Sequence, residues 1–417
     1  MIGVINVRKI MASLDIGSDS IKLVVGEIFR NKFNVLVSLS NPTKGMKDNT
    51  IVDANSLKEV LKNTFNKASN IIGLPIKQVI MTIAPKDLEF SVINGSIPIE
   101  NNNKKVKGID VVHVLKDALK NQIREDREYI TLLPTSFTLD DGKKVRDPKG
   151  FETGTLKARG VLITTSKSYL YPLLLLLESI GIEVIDIGLN AIGDYYEYKI
   201  NDMKDVNGII INVGHESTNI SLFNKGVLTQ TEVVNIGGKN IDNDISYIFK
   251  TSLDVSKKLK ETFALAYSKN AKENVKQEVE NKNGEKIVIN QKEITKIVES
   301  RIEEILNLCK KKINILTKKE ISYIIITGGL TECRDFSLIL NKIFKEKAII
   351  GRVTEMGVRH NKYGSSVGLI KYYDDKSKLK DREYSIFSIE EQQALGGYDL
   401  DEKNNLSLAE LFKNLWS

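Results

Sequence analysis

Cysteine, histidine and tryptophan are scarce in this chain of 417 residues, which has two cysteines, three histidines and one tryptophan. Cys309 and Cys333 lie on predicted helices, without CxxC spacing and without a neighbouring histidine. This pattern argues against a zinc site and indicates a protein that works in a reducing compartment. His113 and His360 have no metal-binding partners near them in the sequence, so we expect both at the surface.

Long apolar runs are also missing. The longest, within 169–177, is far shorter than the roughly 18 residues that a spanning helix needs. The segment after Arg8 and Lys9 has no cleavable leader pattern, so secretion is not expected, and Met1 and Met11 are both candidate starts. The formal net charge of +7 is spread over solvated loops without stacking aromatics, and we therefore expect no nucleic-acid binding.

What the chain does contain is one pattern that occurs twice, about 195 residues apart. Residues 11–28 predict an apolar strand, an Asp-x-Gly turn and a second apolar strand, and residues 208–226 repeat this plan with an Asn-x-Gly turn. A third strand and a helix follow in each half. The repetition predicts a duplicated α/β architecture in which both turns face one cleft.

Composition and hydrophobic periodicity divide the chain into segments. The predicted segments are a first half-domain in two parts (1–83 and 167–207), an inserted subdomain (84–166), a second half-domain (208–373), a flexible linker (374–405) and a C-terminal amphipathic helix (406–417). The insertion contains one predicted helix, Asp110–Ile123, within otherwise extended polar segments. In the second half, the charged tract 268–290 is predicted to be a mobile hairpin or loop.

The two turns are candidate phosphate-binding sites. Backbone amides at a glycine-containing turn can converge on phosphate oxygens, because no side chain blocks their approach. Asp15 beside the first turn is suited to a hydrated Mg²⁺, and Lys22 adds a positive charge for the phosphates. A single Asp-x-Gly turn is more often an ordinary hairpin. Further glycine pairs at strand-to-helix junctions, Gly237–Gly238 and Gly328–Gly329, favour the polyphosphate interpretation.

Five motifs together resemble those of the actin-like ATPases. They are Leu14–Ser18 as first phosphate loop, Asn190–Tyr196 as first connecting helix, Asn212–Asn219 as second phosphate loop, Ile326–Leu330 as adenosine motif and Tyr363–Tyr372 as second connecting helix. Within that superfamily the chain resembles the FtsA family of bacterial cell-division proteins, over about residues 10–374. The specific signs are Leu14–Gly17, Val25–Ile28, Tyr129–Pro134, Leu177–Val184 and Asn235–Ile245.

The resemblance implies that the protein binds ATP and Mg²⁺ through the residues that match the family's motifs. The implied phosphate-binding residues are Asp15, Gly17, Ser18 and Lys22 in the first half and Gly214, His215, Glu216 and Ser217 in the second. The other implied nucleotide contacts are Gly237, Gly238, Lys260, Glu261, Gly328, Gly329 and Leu330. Asp15 and Asn212 are the implied metal residues, acting through water.

The second phosphate loop departs from the family pattern Asp-x-Gly-Gly-Gly-Thr-x-Asp. Asn212 and Asn219 replace its two carboxylates, and His215-Glu216-Ser217 replaces two of its glycines and its threonine. Losing the carboxylate at 212 weakens the positioning of hydrated Mg²⁺, while Glu216 adds a negative charge near the phosphates. We therefore expect at most a slow ATPase, with a nucleotide-gated scaffold favoured. His215 is either a catalytic base or an exposed loop substitution.

The resemblance also implies partners. These are FtsZ, further copies of the chain in a homopolymer, other division proteins bound by the inserted subdomain, named 1C in the family, and the cytoplasmic membrane. Arg301 and Glu304 match the FtsZ-binding face, although they are equally a solvated pair on a helix. The C-terminal stripe, which either docks on the protein's own body or lies on a bilayer, consists of Leu408, Leu411, Phe412, Leu415 and Trp416.

The sequence thus predicts an actin-like (ribonuclease H-type, duplicated) α/β fold with an inserted 1C subdomain. The predicted function is an ATP-binding division protein that polymerises and tethers FtsZ to the inner face of the cell membrane at the division site. Two alternatives share the superfamily. One is a small-molecule kinase or phosphatase, which needs the carboxylates missing at 212 and 219, and the other is a PilM-like assembly adaptor.

Overall fold

The computed structural model describes residues 8–101, 103–200 and 202–396, except for the side chains of 393–396. These residues form two compact units. The first comprises the described residues up to Glu197, the short segment 354–359 and those from Ser365 onward, and the second comprises Tyr198–Val353 and His360–Gly364. The predicted membrane segment 406–417 and residues 1–7, which include the candidate start Met1, lie outside the described residues.

The elements follow in chain order. Up to the unit boundary they are β1 (Lys9–Ile16), β2 (Ser20–Phe29), β3 (Lys32–Pro42), β4 (Met46–Lys47), β5 (Thr50–Ile51), α1 (Ala54–Ile72), β6 (Gln78–Ile83), β7 (Glu89–Pro98), α2 (Gly108–Leu119), β8 (Arg127–Thr138), β9 (Lys144–Val145), β10 (Thr155–Ser166), α3 (Lys167–Glu178), β11 (Glu183–Leu189) and α4 (Asn190–Tyr198). The second unit adds β12 (Asn207–Val213), β13 (Thr218–Asn224), β14 (Val227–Val234), α5 (Gly238–Phe249), α6 (Leu253–Thr262), β15 (Lys276–Glu280), β16 (Lys286–Asn290), α7 (Gln291–Leu316), β17 (Tyr323–Thr327), α8 (Phe336–Phe344) and β18 (Ala348–Ile350). The chain then returns to the first unit with α9 (Gly364–Leu379) and α10 (Ile389–Gly396).

The first unit is built on a sheet with strand order β11-β6-β1-β2-β3. Every residue of β1 except Asp15 is buried, which suits its central place between antiparallel β2 and parallel β6. Helix α1 begins where the Asp53 carboxylate accepts hydrogen bonds from two backbone amides, and it ends at Gly73, whose φ of 88° is the left-handed conformation that favours glycine. The sequence pattern predicts strands over 10–16, 21–29 and 32–40 and a helix over 55–72, and β1, β2, β3 and α1 match these bounds to within two residues.

The insertion forms its own sheet, with order β7-β10-β8-β9 and α2 packed against it. Its small core includes Phe137, Leu156 and Val111. The sequence prediction missed β7, because most of its side chains are exposed and polar positions interrupt its apolar residues. Gly95 in β7 is required by packing, since a Cβ there would lie 2.4 Å from the Val114 carbonyl oxygen of α2. Helix α2 starts two residues before the predicted Asp110 and ends four residues before Ile123.

The second unit repeats the plan with a sheet of order β14-β13-β12-β17-β18. The long helix α7 supplies much of the core, with Ile294, Val298 and Ile302 fully buried. The charged tract predicted as a mobile hairpin or loop is a paired hairpin, β15–β16, and Ile289 in it is 1% exposed. The sequence pattern also predicts a helix over 255–267, but α6 ends at Thr262, where the chain turns so that the amides of Phe263 and Ala264 both donate hydrogen bonds to the Leu259 carbonyl.

Helices α4 and α9 cross within the first unit at two glycines. A Cβ on Gly193 would lie 2.1 Å from the Ser365 carbonyl oxygen, and one on Gly368 would lie 1.8 Å from that of Gly193. Beside this crossing the Ser365 hydroxyl donates to buried Asp194, at 2.7 Å. The backbones therefore touch directly, and neither glycine position has room for a side chain.

The segment after Tyr373 corrects the linker prediction. Helix α9 continues to Leu379, and the chain beyond it packs onto β1, where Ile386 donates a backbone hydrogen bond of 2.8 Å to Ile10. Phe387 is 3% exposed. The prediction of a flexible linker from 374 is therefore wrong over 374–392, because an apolar anchor and backbone pairing offset the polar composition that suggested a tether.

Among the described residues, no helix combines the length and the apolar character needed to cross a membrane.

Candidate phosphate-binding turns

In the first unit, Asp15 lies at the end of β1 directly opposite Lys22 of β2 in the antiparallel ladder. The seven-residue spacing in the sequence therefore brings the two side chains together, and Lys22 Nζ lies 2.9 Å from Asp15 Oδ2. Thr82 of β6, the register partner of Asp15, donates its hydroxyl to the other carboxylate oxygen at 3.0 Å. The residue predicted for Mg²⁺ and the residue predicted for phosphate thus form one ion pair, which is 13–19% exposed.

The turn that follows is held by its backbone. The amide of Gly17 donates to the carbonyl of Ser20 at 3.1 Å, and the Thr43 hydroxyl donates to the carbonyl of Gly17 at 2.7 Å. The Ser18 hydroxyl donates to the Asn49 side chain. A Cβ on Gly17 would lie only 3.1 Å from Lys22 Nζ, so glycine keeps the approach to that ammonium open.

In the second unit the matching turn spans four residues, 214–217, because Val213 pairs with Thr218 across β12 and β13. Its first amide, from Gly214, donates to the Ser217 carbonyl at 2.9 Å. The carbonyls of Gly214 and His215 accept from the first amides of α5, those of Gly238 and Lys239, at 2.9 and 2.7 Å. The turn and the start of α5 therefore form one backbone-bonded assembly.

Gly237 fits closely into this assembly. A Cβ at position 237 would lie 2.6 Å from the carbonyl oxygens of both Gly214 and His215, so only glycine allows the approach. Sequence analysis placed Gly237 and Gly238 near the nucleotide. The structure gives Gly237 a definite role, which is to bring α5 against the turn.

Glu216 is the residue whose surroundings differ most from expectation. Its carboxylate Oε1 lies 2.6 Å from Nζ of Lys239, and the Glu216 side chain is 12% exposed. The negative charge that the sequence predicted beside the phosphates is therefore paired with a lysine whose side chain is 38% exposed. Sequence analysis did not single out Lys239, although a basic residue directly after the Gly237–Gly238 pair was a usable signal.

Two asparagines stand where the family pattern has carboxylates. Asn212 and Asn219 are direct partners across β12 and β13. Asn219 is 8% exposed, and its Oδ1 atom has no hydrogen-bond partner among the described residues. Asn212 Oδ1 packs against Gly328, where a Cβ would lie 2.8 Å from it. A buried acceptor without a donor next to the turn fits a site that takes up a further ligand or water.

Lys260, one of the implied nucleotide contacts, is bound to α5. Its Nζ lies 2.8 and 2.9 Å from the two carboxylate oxygens of Asp242 and 3.1 Å from the Gly238 carbonyl. The Lys260 and Asp242 side chains are 8% and 4% exposed, and burial raises the pKa of the Asp242 carboxyl. Glu261, the next residue, is exposed. The lysine thus fixes the first turn of α5, and Asp242 is a residue that sequence analysis did not assign.

The adenosine motif follows β17. Gly328 has a φ of 97°, and a Cβ there would lie 2.3 Å from the Val213 carbonyl of β12. Gly329 is open, since a Cβ there would meet nothing within 4 Å. Leu330 is 7% exposed and belongs to the core of the unit. Glycine at 328 is thus required by the backbone, while the space at 329 is available to a ligand.

The predicted partner residues lie on α7. The Arg301 guanidinium forms two parallel bonds to Asp244 of α5, at 2.8 and 2.9 Å, and a third to Glu304 at 2.5 Å. Arg301 is 25% and Glu304 47% exposed. Arg301 therefore links two helices, and Glu304 remains accessible.

The topology of the two units defines the class of the protein. Each unit has a three-stranded antiparallel meander, a glycine-containing turn between its first two strands, and parallel strands added beside the first strand. Solved structures share this fold. The PilM-PilN type IV pilus biogenesis complex matches with a TM-score of 0.60 and 13% identity, covering 87% of this chain and 98% of that one. MreB5 of Spiroplasma citri bound to ADP matches with a TM-score of 0.53 and 12% identity, covering 89% and 98%. The chain has the actin-like fold, as predicted.

The family follows from sequence comparison. A family model described as "Cell division protein FtsA" matches residues 209–368, and one described as "SHS2 domain inserted in FTSA" matches residues 86–164. Cell division protein FtsA of Bacillus subtilis is 27% identical over 388 residues, covering 93% of this chain and 88% of that protein. The FtsA of Streptococcus pneumoniae is 26% identical over 361 residues, covering 86% and 79%. The chain belongs to the FtsA family and is an actin-like cell-division protein, which confirms the predicted family.

Proposed function

We propose that this protein binds ATP with Mg²⁺, polymerises, and tethers FtsZ to the inner face of the cytoplasmic membrane at the division site. One observation carries the proposal. A chain of the FtsA family keeps a glycine-containing turn at the matching place in both of its actin-like units, and each turn is fixed by backbone hydrogen bonds. Rigid turns of this kind present amide donors that suit phosphate oxygens.

The residues at the turns fit a magnesium nucleotide. Asp15 offers a carboxylate oxygen, Asn212 offers an amide oxygen, and both are hard donors of the type that Mg²⁺ prefers, directly or through its waters. Lys22 supplies the positive charge for a phosphate, at the cost of exchanging its bond to Asp15. The fold neighbour MreB5 was solved bound to ADP, which supports a nucleotide for this fold. When bound, the metal neutralises phosphate charge.

Binding, and not turnover, is the proposed working step. Asn212 and Asn219 are amides, and an amide cannot take up a proton from an attacking water as a carboxylate can. Glu216, the remaining acid of the second turn, is tied to Lys239. ATP would therefore act by favouring one conformation of the chain, the one that makes contacts along a polymer. The kinase and phosphatase alternative lacks the carboxylates it requires.

Membrane attachment is assigned to the amphipathic segment 406–417. Its apolar stripe ends in Trp416, and tryptophan favours the interface between lipid and water. Glu410 balances Lys413, so a single helix gains little from anionic lipid and binds weakly. A polymer presents many such helices at once, and this multivalency raises the overall affinity. FtsZ is assigned to the face that carries Arg301 and Glu304, and the insertion to other division proteins.

The test is co-sedimentation of purified FtsZ with vesicles of phosphatidylethanolamine and phosphatidylglycerol. We expect the full chain to bring FtsZ down with the vesicles, more strongly when ATP and Mg²⁺ are present, and a chain ending at Asn405 to leave it in solution. Phe412→Asp on the apolar stripe should behave like the shortened chain, while Asn414→Asp, which adds the same charge off the stripe, should not.

Two outcomes would contradict the proposal. Equal sedimentation of FtsZ by the full and shortened chains would show that the helix is not the anchor. Rapid ATP turnover on addition of a small acceptor molecule would show that the protein is an enzyme and not a scaffold.

A further inference from the structure

The second turn carries a negative charge on Glu216 that a neighbouring lysine, Lys239, balances. Glu216 stands at a position where the family pattern has glycine, and its side chain is 12% exposed. A carboxylate so placed repels a polyphosphate at the same turn, and this repulsion is strong wherever water is largely excluded. Lys239 lies in direct contact with it, at 2.6 Å between Nζ and Oε1. The pair adds no net charge to the turn.

Lys239 is also bound to the turn through its backbone. Its amide donates to His215 at 2.7 Å, while the neighbouring Gly238 amide donates to Gly214 and the Gly237 amide is taken by the Asn240 side chain. The three amides at the start of α5 are therefore used within the protein. A phosphate at this turn has to be held by the turn itself, and its electrostatics depend on the Glu216–Lys239 pair.

We propose that Lys239 is a positioning residue of the phosphate site, which holds Glu216 against α5 and cancels its charge so that a turn that lacks two of the family's glycines still accepts a polyphosphate. The inference rests on the proposed nucleotide binding. Lys239 acts through Glu216 and not by touching the nucleotide. This predicts that removing the lysine is harmful only while the glutamate is present.

The experiment is a double-mutant cycle on the full chain, with affinities for ATP, ADP and AMP measured by isothermal titration calorimetry in the presence of Mg²⁺. Lys239→Met should weaken ATP binding about tenfold or more, because it removes the positive charge that lies in direct contact with Glu216. Glu216→Gln should bind at least as tightly as the unsubstituted chain. The combination of both substitutions should return to within about threefold of the unsubstituted chain.

The nucleotide series separates electrostatics from damage to the fold. A repelling charge should penalise ATP more than ADP and ADP more than AMP, whereas a distorted turn would weaken all three alike. The inference is overturned if the double variant binds as poorly as Lys239→Met, since the lysine would then contact the phosphates itself. It is also overturned if no variant changes affinity. If the unsubstituted chain binds no nucleotide, the proposed function fails together with this inference. If the chain binds nucleotide but the effects of the Lys239 and Glu216 substitutions simply add, only this inference is refuted.

Discussion

The buried pair Lys260–Asp242 offers the sharpest test of how the second unit is held together. The two side chains are 8% and 4% exposed, and the lysine also donates to the carbonyl of Gly238 at the start of α5. In Lys260→Met the aspartate keeps its buried position but loses its counter-charge. Removing one partner of a buried ion pair typically costs about 3–5 kcal/mol, because an uncompensated charge is left behind.

This loss can be followed by urea unfolding monitored by circular dichroism. For a denaturant dependence of roughly 2 kcal/mol per molar urea, a loss of about 4 kcal/mol moves the midpoint of the second unit down by about 2 M. Lys258→Met on the same helix α6 is the matched control, since Lys258 is exposed and its replacement should leave the midpoint nearly unchanged.

The stability lost in Lys260→Met should also depend on pH, in a direction that the pKa of Asp242 determines. Burial raises the pKa of Asp242 above its unfolded value, so the ionised form is the disfavoured form in the folded unit. A group with a raised pKa favours folding at low pH, and this contribution is lost as the pH rises through the folded pKa. Without Lys260 the carboxylate has lost the partner that opposes this shift. The stability gap between Lys260→Met and the unsubstituted chain should therefore narrow as the pH falls from about 7.5 to about 5.

Two results would refute this reasoning. One is a loss below about 1 kcal/mol at neutral pH, which would mean that the pair is solvated and weak. The other is a loss of the expected size that persists in Lys260→Met combined with Asp242→Leu. Replacing both ions by apolar groups removes the stranded charge, so the double variant should recover most of the stability.

Three further predictions concern backbone space, helix linkage and the segment after α9. Gly328→Ala should destabilise the second unit by about 2 kcal/mol or more, because φ is 97° and the new Cβ would lie 2.3 Å from a carbonyl oxygen of β12. Arg301→Lys should cost about 1 kcal/mol, since lysine cannot form the two parallel bonds to α5 that the guanidinium makes. Phe387→Ala should cost about 3–5 kcal/mol in the first unit, because Phe387 is 3% exposed. Thermal or urea unfolding measures all three.

Each of these predictions has a control within the chain. Gly329→Ala, at a position open for 4 Å, should be nearly neutral, and equal losses at 328 and 329 would contradict the packing argument. Glu304→Gln should change stability little, and if it also leaves FtsZ binding unchanged, the partner role of that face is wrong. Ile389→Ala, at an exposed position, should leave the stability of the first unit unchanged. If Phe387→Ala also leaves it unchanged, the prediction of a flexible linker would stand after all.

Much of the fold could be predicted because its strands are marked by local pattern. In β1 every residue except Asp15 is buried and most residues are apolar, and the Asp-x-Gly turn after it defines the first hairpin. Strand β7 could not be found in this way, because most of its side chains are exposed and polar residues and Gly95 interrupt its apolar positions. The prediction of a flexible linker over 374–392 was wrong for a different reason. Its charged residues are typical of a flexible tether, but its ordered structure depends on a contact with β1, which is distant in the sequence.

Some contacts of the candidate site can likewise be predicted from local sequence pattern, and others only from the tertiary structure. The contact between Asp15 and Lys22 follows from the register of β1 and β2, and pairing these two strands in the sequence is enough to predict it. Thr82 joins them from a parallel strand more than 60 residues away, and only the tertiary structure reveals it. For Lys260 the nucleotide contact that motif matching implies stays a prediction, whereas its bonds to Gly238 and Asp242 of α5 are visible only in the structure.

The two turns have therefore diverged in charge but not in backbone plan. The first keeps a carboxylate and a lysine that bind each other and are both suited to a magnesium nucleotide. The second has exchanged its carboxylates for Asn212 and Asn219, and the acid it gained, Glu216, is neutralised by Lys239. A neutral second turn does not repel phosphate, so binding can persist. It also has no carboxylate able to orient and deprotonate a water, so hydrolysis should be slow. Restoring one acid with Asn212→Asp should therefore raise the rate of ATP hydrolysis, and an unchanged rate would mean that the missing carboxylate is not what limits turnover.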